Sequence, residues 1–307
     1  TLLNDLQNKS IKKEFIEYNN NNIFTDSLVF QTKSNGYYIG NIYNNKYYSL
    51  NYESPKKDDL KFALKRGSMS VDFRPRTAKL YYTGGWIMGM TINDIMCLNL
   101  HTMKLNQISK LKKGTAYHSM TFFPDSLVLS GGTNCWENVF KSVYRYDFID
   151  NKLYDIPSMK NERYGHSMIS MLNRYLFIVG GCNRDDNVLQ TEFYDRKLNK
   201  WDHNIGNILK PMNRCQCLRY ENNIYLVSIL NKYTQYYDIN NQKWYNTGNL
   251  NYYYPNGNKL TTFDYKLLCI SKTNIYNFEI YNQNTGKWVY TDIKNHPIYT
   301  INNNYAN

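Results

Sequence analysis

Whatever metal or nucleophilic chemistry this chain performs must come from few side chains. Its 307 residues include five histidines (His101, His118, His166, His203, His296) and six cysteines (Cys97, Cys135, Cys182, Cys215, Cys217, Cys269). No two cysteines stand in a C-x-x-C pair, and no paired metal-ligand spacing occurs, which argues against a structural zinc site. No G-x-S-x-G elbow and no phosphate-binding P-loop is present either. His118 and His166 stand 48 residues apart in the related surroundings "AYHSM" and "YGHSM". Histidines recurring at equivalent places are read as core or channel histidines, not ligands. The expectation is therefore no catalytic residue, no metal and no cofactor.

Recognition chemistry is better supplied. Large apolar residues cluster in the segments "WIMGMTIN" and "TNCWENVFK": Trp86, Met88, Met90, Trp136 and Phe140. Aromatic rings and arginine dominate binding hot spots, and methionine suits an adaptable surface. The alternative for Trp86 and Trp136 is that each ring packs onto a neighbouring unit. A second group, Arg66, Arg163, Tyr164, Arg214, Tyr253 and Tyr254, falls just before apolar stretches. Arg163 and Arg214 lie 51 residues apart, so they are expected to project from adjacent units toward one mouth. Arginine there would fork onto carboxylates of an acidic ligand. Structural arginines of a repeat are the competing reading. Arg184 is a weaker candidate, because Asp185 and Asp186 beside it repel an acidic ligand.

The elements that position these residues repeat. "LYYTGG" ends at Gly84-Gly85, "LVLSGG" at Gly131-Gly132 and "LFIVGG" at Gly180-Gly181, at intervals of 47 and 49 residues. Each apolar run reads as a strand. Glycine pairs at strand ends mark a tight bend or a close approach of another group, here large aromatics such as Trp201. A further strand follows, closing on a tyrosine and an acidic turn (Tyr146-Asp147, Tyr194-Asp195, Tyr237-Asp238). A short strand with tryptophan then completes the unit at Trp201, Trp244 and Trp288. Aspartate side chains bend the third strand into the fourth by bonding nearby backbone N–H groups. Eroded copies around 223–229, 265–272 and 27–32 raise the number of second strands to six. A four-stranded meander of about 50 residues, repeated, predicts an all-β propeller of six blades. The first unit lacks its first strand, and residues 296–302 are left over at the other end. The expectation is that this segment closes the ring as the innermost strand of blade 1, covering edges that would otherwise stay open.

Composition agrees with an aromatic-rich β-protein: 31 tyrosines, 42% hydrophobic residues and no apolar run long enough to span a membrane as a helix. The dispersed cysteines read as reduced thiols, which places the chain in the cytosol or nucleus. The net charge of +12 has two readings, an acidic partner or an Asn/Lys/Ile/Tyr bias typical of AT-rich genomes. Residues 1–24 read as a helical or linker segment and 25–307 as the propeller. The chain begins with Thr1 and lacks a signal peptide's apolar core, so it reads as a processed form or a piece of something longer.

The Gly-Gly pairs, the R-x-x-H-S element (Arg163, His166, Ser167), the Tyr-Asp pairs and the spaced tryptophans resemble the kelch-repeat family. The likeness is nearest to the propeller of BTB-BACK-kelch proteins. The eroded, Asn-rich repeats are similar to poxvirus kelch proteins or those of AT-rich protozoan parasites. The resemblance implies a protein-recognition module, with residues 1–24 as the end of a BACK-like domain. In BTB-kelch relatives the propeller holds a substrate for a cullin ubiquitin ligase, and the cullin contact would lie outside this chain. A stand-alone cytoskeletal or multiprotein scaffold is the first alternative. A kelch enzyme with a central-channel site, such as a Tyr–Cys copper oxidase, is the second. Nucleic acid and membrane are not expected partners.

Overall fold

The computed structural model describes residues 27–31, 37–41, 46–50, 68–72, 79–87, 90–99, 104–135, 138–203, 205–254, 258–263, 265–271 and 277–292, the first four of these segments as backbone course only. The helical reading of 1–24 and the closing strand at 296–302 lie outside them, as do Arg66, Met88 and Trp136.

The described residues form only β-structure, in six successive antiparallel sheets and two short hairpins. The first sheet has three strands, Ser27–Gln31, Tyr37–Asn41 and Lys46–Leu50. The other five have four strands each. The second comprises Ser68–Asp72, Lys79–Thr83, Asp94–Asn99 and Lys104–Lys110, and the third Ser119–Phe123, Ser126–Ser130, Val143–Asp147 and Leu153–Ile156. The fourth comprises Ser167–Met171, Tyr175–Val179, Glu192–Asp195 and Lys200–Asp202. The fifth comprises Cys215–Tyr220, Asn223–Ser228, Thr234–Asp238 and Lys243–Asn246. The sixth comprises Asn258–Phe263, Lys266–Ser271, Asn277–Asn282 and Lys287–Asp292. Within every sheet the strands pair in chain order. From the second sheet to the sixth, each first strand adjoins the first strand of the next sheet. Such an arrangement is compatible with a β-propeller, whose sheets share an inner set of strands.

Strand composition follows from this packing. All five residues of Tyr175–Val179 are buried, because both faces of the sheet are covered. Leu176 and Ile178 enter a core with Val128 and Val143 of the third sheet. Tyr175, Phe177 and Val179 enter another with Ile224, Leu226 and Tyr237 of the fifth. A strand buried on both faces loses polar alternation and reads as a continuous apolar run. Burying one such aromatic ring is worth roughly 2–3 kcal/mol. The tyrosine and tryptophan of each unit meet across the outer strand pair: Tyr194 and Trp201 at 5.1 Å, Tyr237 and Trp244 at 5.5 Å, Tyr281 and Trp288 at 5.2 Å between ring centroids. The turn beyond is held as the aspartates require. Asp195 accepts from the Lys197 and Leu198 N–H groups, Asp238 from those of Asn240 and Asn241, and Asp147 from that of Ile149. Among the described residues no helix is long and apolar enough to cross a membrane.

The glycine pairs do a different job from the one expected. A Cβ on Gly131 would sit 2.4 Å from the Arg163 carbonyl oxygen and 2.8 Å from His166 Cε1, and one on Gly84 would meet the Thr115 carbonyl oxygen and His118 in the same way. At Gly180 the occupant is Cys215. The space is filled by the next sheet's inner strand, not by Trp201, so the glycines are where consecutive sheets touch.

Candidate functional site

Each inner strand is entered through the same short turn. The second glycine of one sheet donates its N–H to a carbonyl in the entry segment of the next: Gly85 to Thr115 (2.8 Å), Gly132 to Arg163 (2.9 Å), Gly181 to Met212 (2.8 Å). Three residues after those carbonyls come His118, His166 and Cys215, all buried. His118 Nε2 bonds the Thr83 hydroxyl and His166 Nε2 bonds that of Ser130 at 2.8 Å, in both cases at the end of the preceding sheet's second strand. Burial lowers the His118 pKa to about 4. His166 is held well below its ordinary value by burial, then by Arg163 and His118. Both imidazoles are therefore neutral seam residues, and Cys215, pushed up to about 12 by burial, is an inert thiol.

The residue immediately before each of these three lies in the left-handed region: Tyr117 at φ 55°, Gly165 at φ 65° and Arg214 at φ 50°. Glycine tolerates that conformation, whereas a residue with a Cβ pays about 1–2 kcal/mol for it. The turns are locked together, since Gly165 donates to the Tyr117 carbonyl (2.8 Å) and Cys215 to the Gly165 carbonyl (3.2 Å). Two side chains are thus held in strain at the starts of the third and fifth sheets' inner strands, with the side-chain-free Gly165 of the fourth between them. They meet across it. Arg214 places its guanidinium 4.8 Å from the Tyr117 ring centroid and donates to the Tyr117 hydroxyl at 3.1 Å. Tyr164 closes the group, its ring 6.2 Å from that of Tyr117. Burial, then the neighbouring Cys182 thiol, pushes the Tyr164 hydroxyl up to about 12, so it stays a neutral donor. All three side chains are half-buried. Among the described residues no carboxylate pairs with Arg214, which leaves a cation and two phenols at one end of the inner strands.

Arg163 is not part of this group. Its side chain is fully buried and donates to the Gly180 carbonyl (3.1 Å), the Gln190 carbonyl (3.1 Å) and Glu192 (2.5 Å). Glu192 is equally buried, also accepts the Lys160 and Asn161 backbone N–H groups, and has His203 Nδ1 at 3.2 Å. The same clip recurs. In the fifth sheet Gln235 accepts from the Leu209 N–H and donates to the Lys210 carbonyl. In the sixth, Glu279 accepts from the Asn251 and Tyr252 N–H groups and the Tyr254 hydroxyl. A buried carboxylate needs such donors, and Arg163 and Tyr254 supply them. Tyr254 is accordingly buried, at 4% exposure, while its neighbour Tyr253 is 51% exposed. The expectation that Arg163 and Tyr254 face a partner is corrected by this packing. The two arginines also differ in register: Arg163 stands three residues before its seam residue and Arg214 one.

Of the remaining candidates, Arg184 is exposed beside Asp185 and Asp186, and Trp86 is half-buried on a hairpin opposite Thr91. Reading the sequence for arginines missed Tyr117. Aligning "AYH", "YGH" and "NRC" on the seam residue would have found it, because the position that holds Gly165 holds Tyr117 and Arg214 in the neighbouring units. No family model matches this chain, and no curated protein matches it.

Proposed function

We propose that the chain is a six-bladed kelch-type propeller that recognises a protein partner at the end of its inner strands, through Arg214, Tyr117 and Tyr164. The observation that carries the reading is the pair Tyr117 and Arg214, both held left-handed so that their side chains meet over Gly165, with no carboxylate among the described residues on the guanidinium. Strain of this kind at the end of a set of strands is maintained where a site is pre-organised for a ligand. An acidic peptide group fits an arginine guanidinium. Ring closure is supported by Leu268, Ile270 and Phe278, which are buried on the far face of the sixth sheet, the face a closed ring would cover. The role of substrate arm in a BTB-BACK-kelch ubiquitin ligase adaptor rests on the resemblance of the repeats, with a stand-alone scaffold as its rival.

Affinity capture from source cells, with Arg214→Ala and Tyr117→Ala beside the parent, tests the site. Partners lost in both variants, with unchanged thermal melting, support it. Partners retained by both remove the rim from consideration. Co-purification of a cullin with the full gene product decides the adaptor role.

A further inference from the structure

The clips at Gln235 and Glu279 present side chains as well as closing loops. By pinning the backbone at 209–210 and 251–252, they hold Leu209 (50% exposed), Tyr252 (49%) and Tyr253 (51%) outward on adjoining sheets. The space between is bridged by contacts in sequence. Lys210 lies over the Tyr233 ring at 4.6 Å, the Lys232 carbonyl accepts the Leu250 N–H, the Lys232 ammonium bonds the Asn251 carbonyl at 2.6 Å, and Tyr252 stacks on Tyr290 at 5.2 Å. With Leu230, these apolar side chains account for six of the fourteen exposed large hydrophobics among the described residues. Exposed apolar side chains gathered on neighbouring loops in this way mark an interaction site.

Charge decides what it takes. The segments 203–213, 229–233 and 247–257 contain no aspartate or glutamate, yet they carry Lys210 and Lys232. Beneath them Glu279 is buried and spent on its clip. Across the boundary on the fourth sheet the sign changes, at Asp185 and Asp186. The leucines separate this belt from a base-stacking platform, which uses aromatic faces and a continuous cationic track.

We infer that the outer rim of the fifth and sixth sheets is a second docking surface, for a polypeptide segment that carries both carboxylates and apolar side chains. It is independent of the Arg214–Tyr117 site, and it costs little entropy to occupy because its backbone is already fixed. The probe is a display library of random twelve-residue peptides, selected on the intact chain. The expected outcome is enrichment of peptides combining Asp or Glu with Leu, Ile or Phe. Their binding should weaken at least roughly tenfold in Lys210→Glu/Lys232→Glu and again in Tyr252→Ser/Tyr253→Ser, while persisting in Arg214→Ala. The four substituted residues are surface side chains, and matched thermal melts establish that the variants fold. Selection without acidic enrichment, or binding indifferent to both pairs of substitutions, overturns the inference. So does tighter binding of a twenty-residue oligothymidylate than of the peptides, or self-association through the same residues. Loss in Arg214→Ala alone would speak for the first site and against this one.

Discussion

Arg214 reaches across Gly165 to lay its guanidinium 4.8 Å from the centre of the Tyr117 ring, and both residues hold left-handed backbones to do so. A contact made at that cost separates function from stability. Glycine at either position removes strain of about 1–2 kcal/mol, against the lost cation–π contact and about 1 kcal/mol of added chain freedom. Arg214→Gly and Tyr117→Gly are therefore expected to unfold in urea within about 1 kcal/mol of the parent, while abolishing partner capture. A large drop in midpoint for either variant would make the pair structural.

Arg163 predicts the reverse. With both partners fully buried, Arg163→Ala strands the Glu192 carboxylate among backbone groups and is expected to cost on the order of 3–5 kcal/mol. Arg163→Met with Glu192→Gln, which removes both charges at similar volume, should recover most of that loss. Urea unfolding of the single and double variants reads the difference directly. If the double variant is no more stable than Arg163→Ala, the pair is not the source of the cost.

Periodicity made much of the architecture legible, and its limits are physical. Gly-Gly, Tyr-Asp and Trp recur because each answers a local geometric demand, so their spacing, extended by the eroded copies at 223–229 and 265–272, marked the second strand of each four-stranded sheet. The side chains at the rim answer to neighbours in other sheets, and those contacts leave no mark on residue type. Arg163 and Arg214 look equivalent in a one-dimensional count, yet a two-residue difference in register sends one beneath the clip and the other onto the surface. The three middle tyrosines of "NYYYP" divide in the same way. Tyr252 and Tyr253 stay outside, while Tyr254 is drawn in by Glu279, a partner 25 residues downstream. Tyr117 was hidden for a further reason: nothing in a tyrosine announces a left-handed backbone.

The glycine pairs should be intolerant in proportion to what touches them. Gly131→Ala combines a φ of 61° with a Cβ 2.4 Å from a backbone oxygen of the next sheet, which cannot yield without opening the seam. Its expected cost exceeds about 4 kcal/mol. Gly206 has a φ of 89° but nothing within 4 Å of the place a Cβ would take, so Gly206→Ala should cost only the backbone strain, about 1–2 kcal/mol. Comparable thermal midpoints for the two variants would contradict the assignment of Gly131 to the contact between sheets.

Acid should open the same seams. An unfolded histidine titrates near 6.5, whereas His118 in the folded chain titrates near 4 and His166 also lies well below the unfolded value. The groups facing them are the Thr83 and Ser130 hydroxyls and, for His166, the Arg163 guanidinium and His118. None of these welcomes a proton. Because the folded values are depressed, the unfolded chain binds more protons in this window. Stability is then complete above pH 6.5 and falls as pH drops toward 4, by about 1.4 kcal/mol per unit for each histidine. Urea midpoints at pH 7.5, 6.0 and 5.0 should decline steadily, before most carboxylates begin to titrate. In His118→Gln/His166→Gln the decline over that range should largely vanish, even if the variant starts from a lower stability. An equally steep decline in the double variant would assign the acid sensitivity to other groups and leave the two seam imidazoles as silent packing.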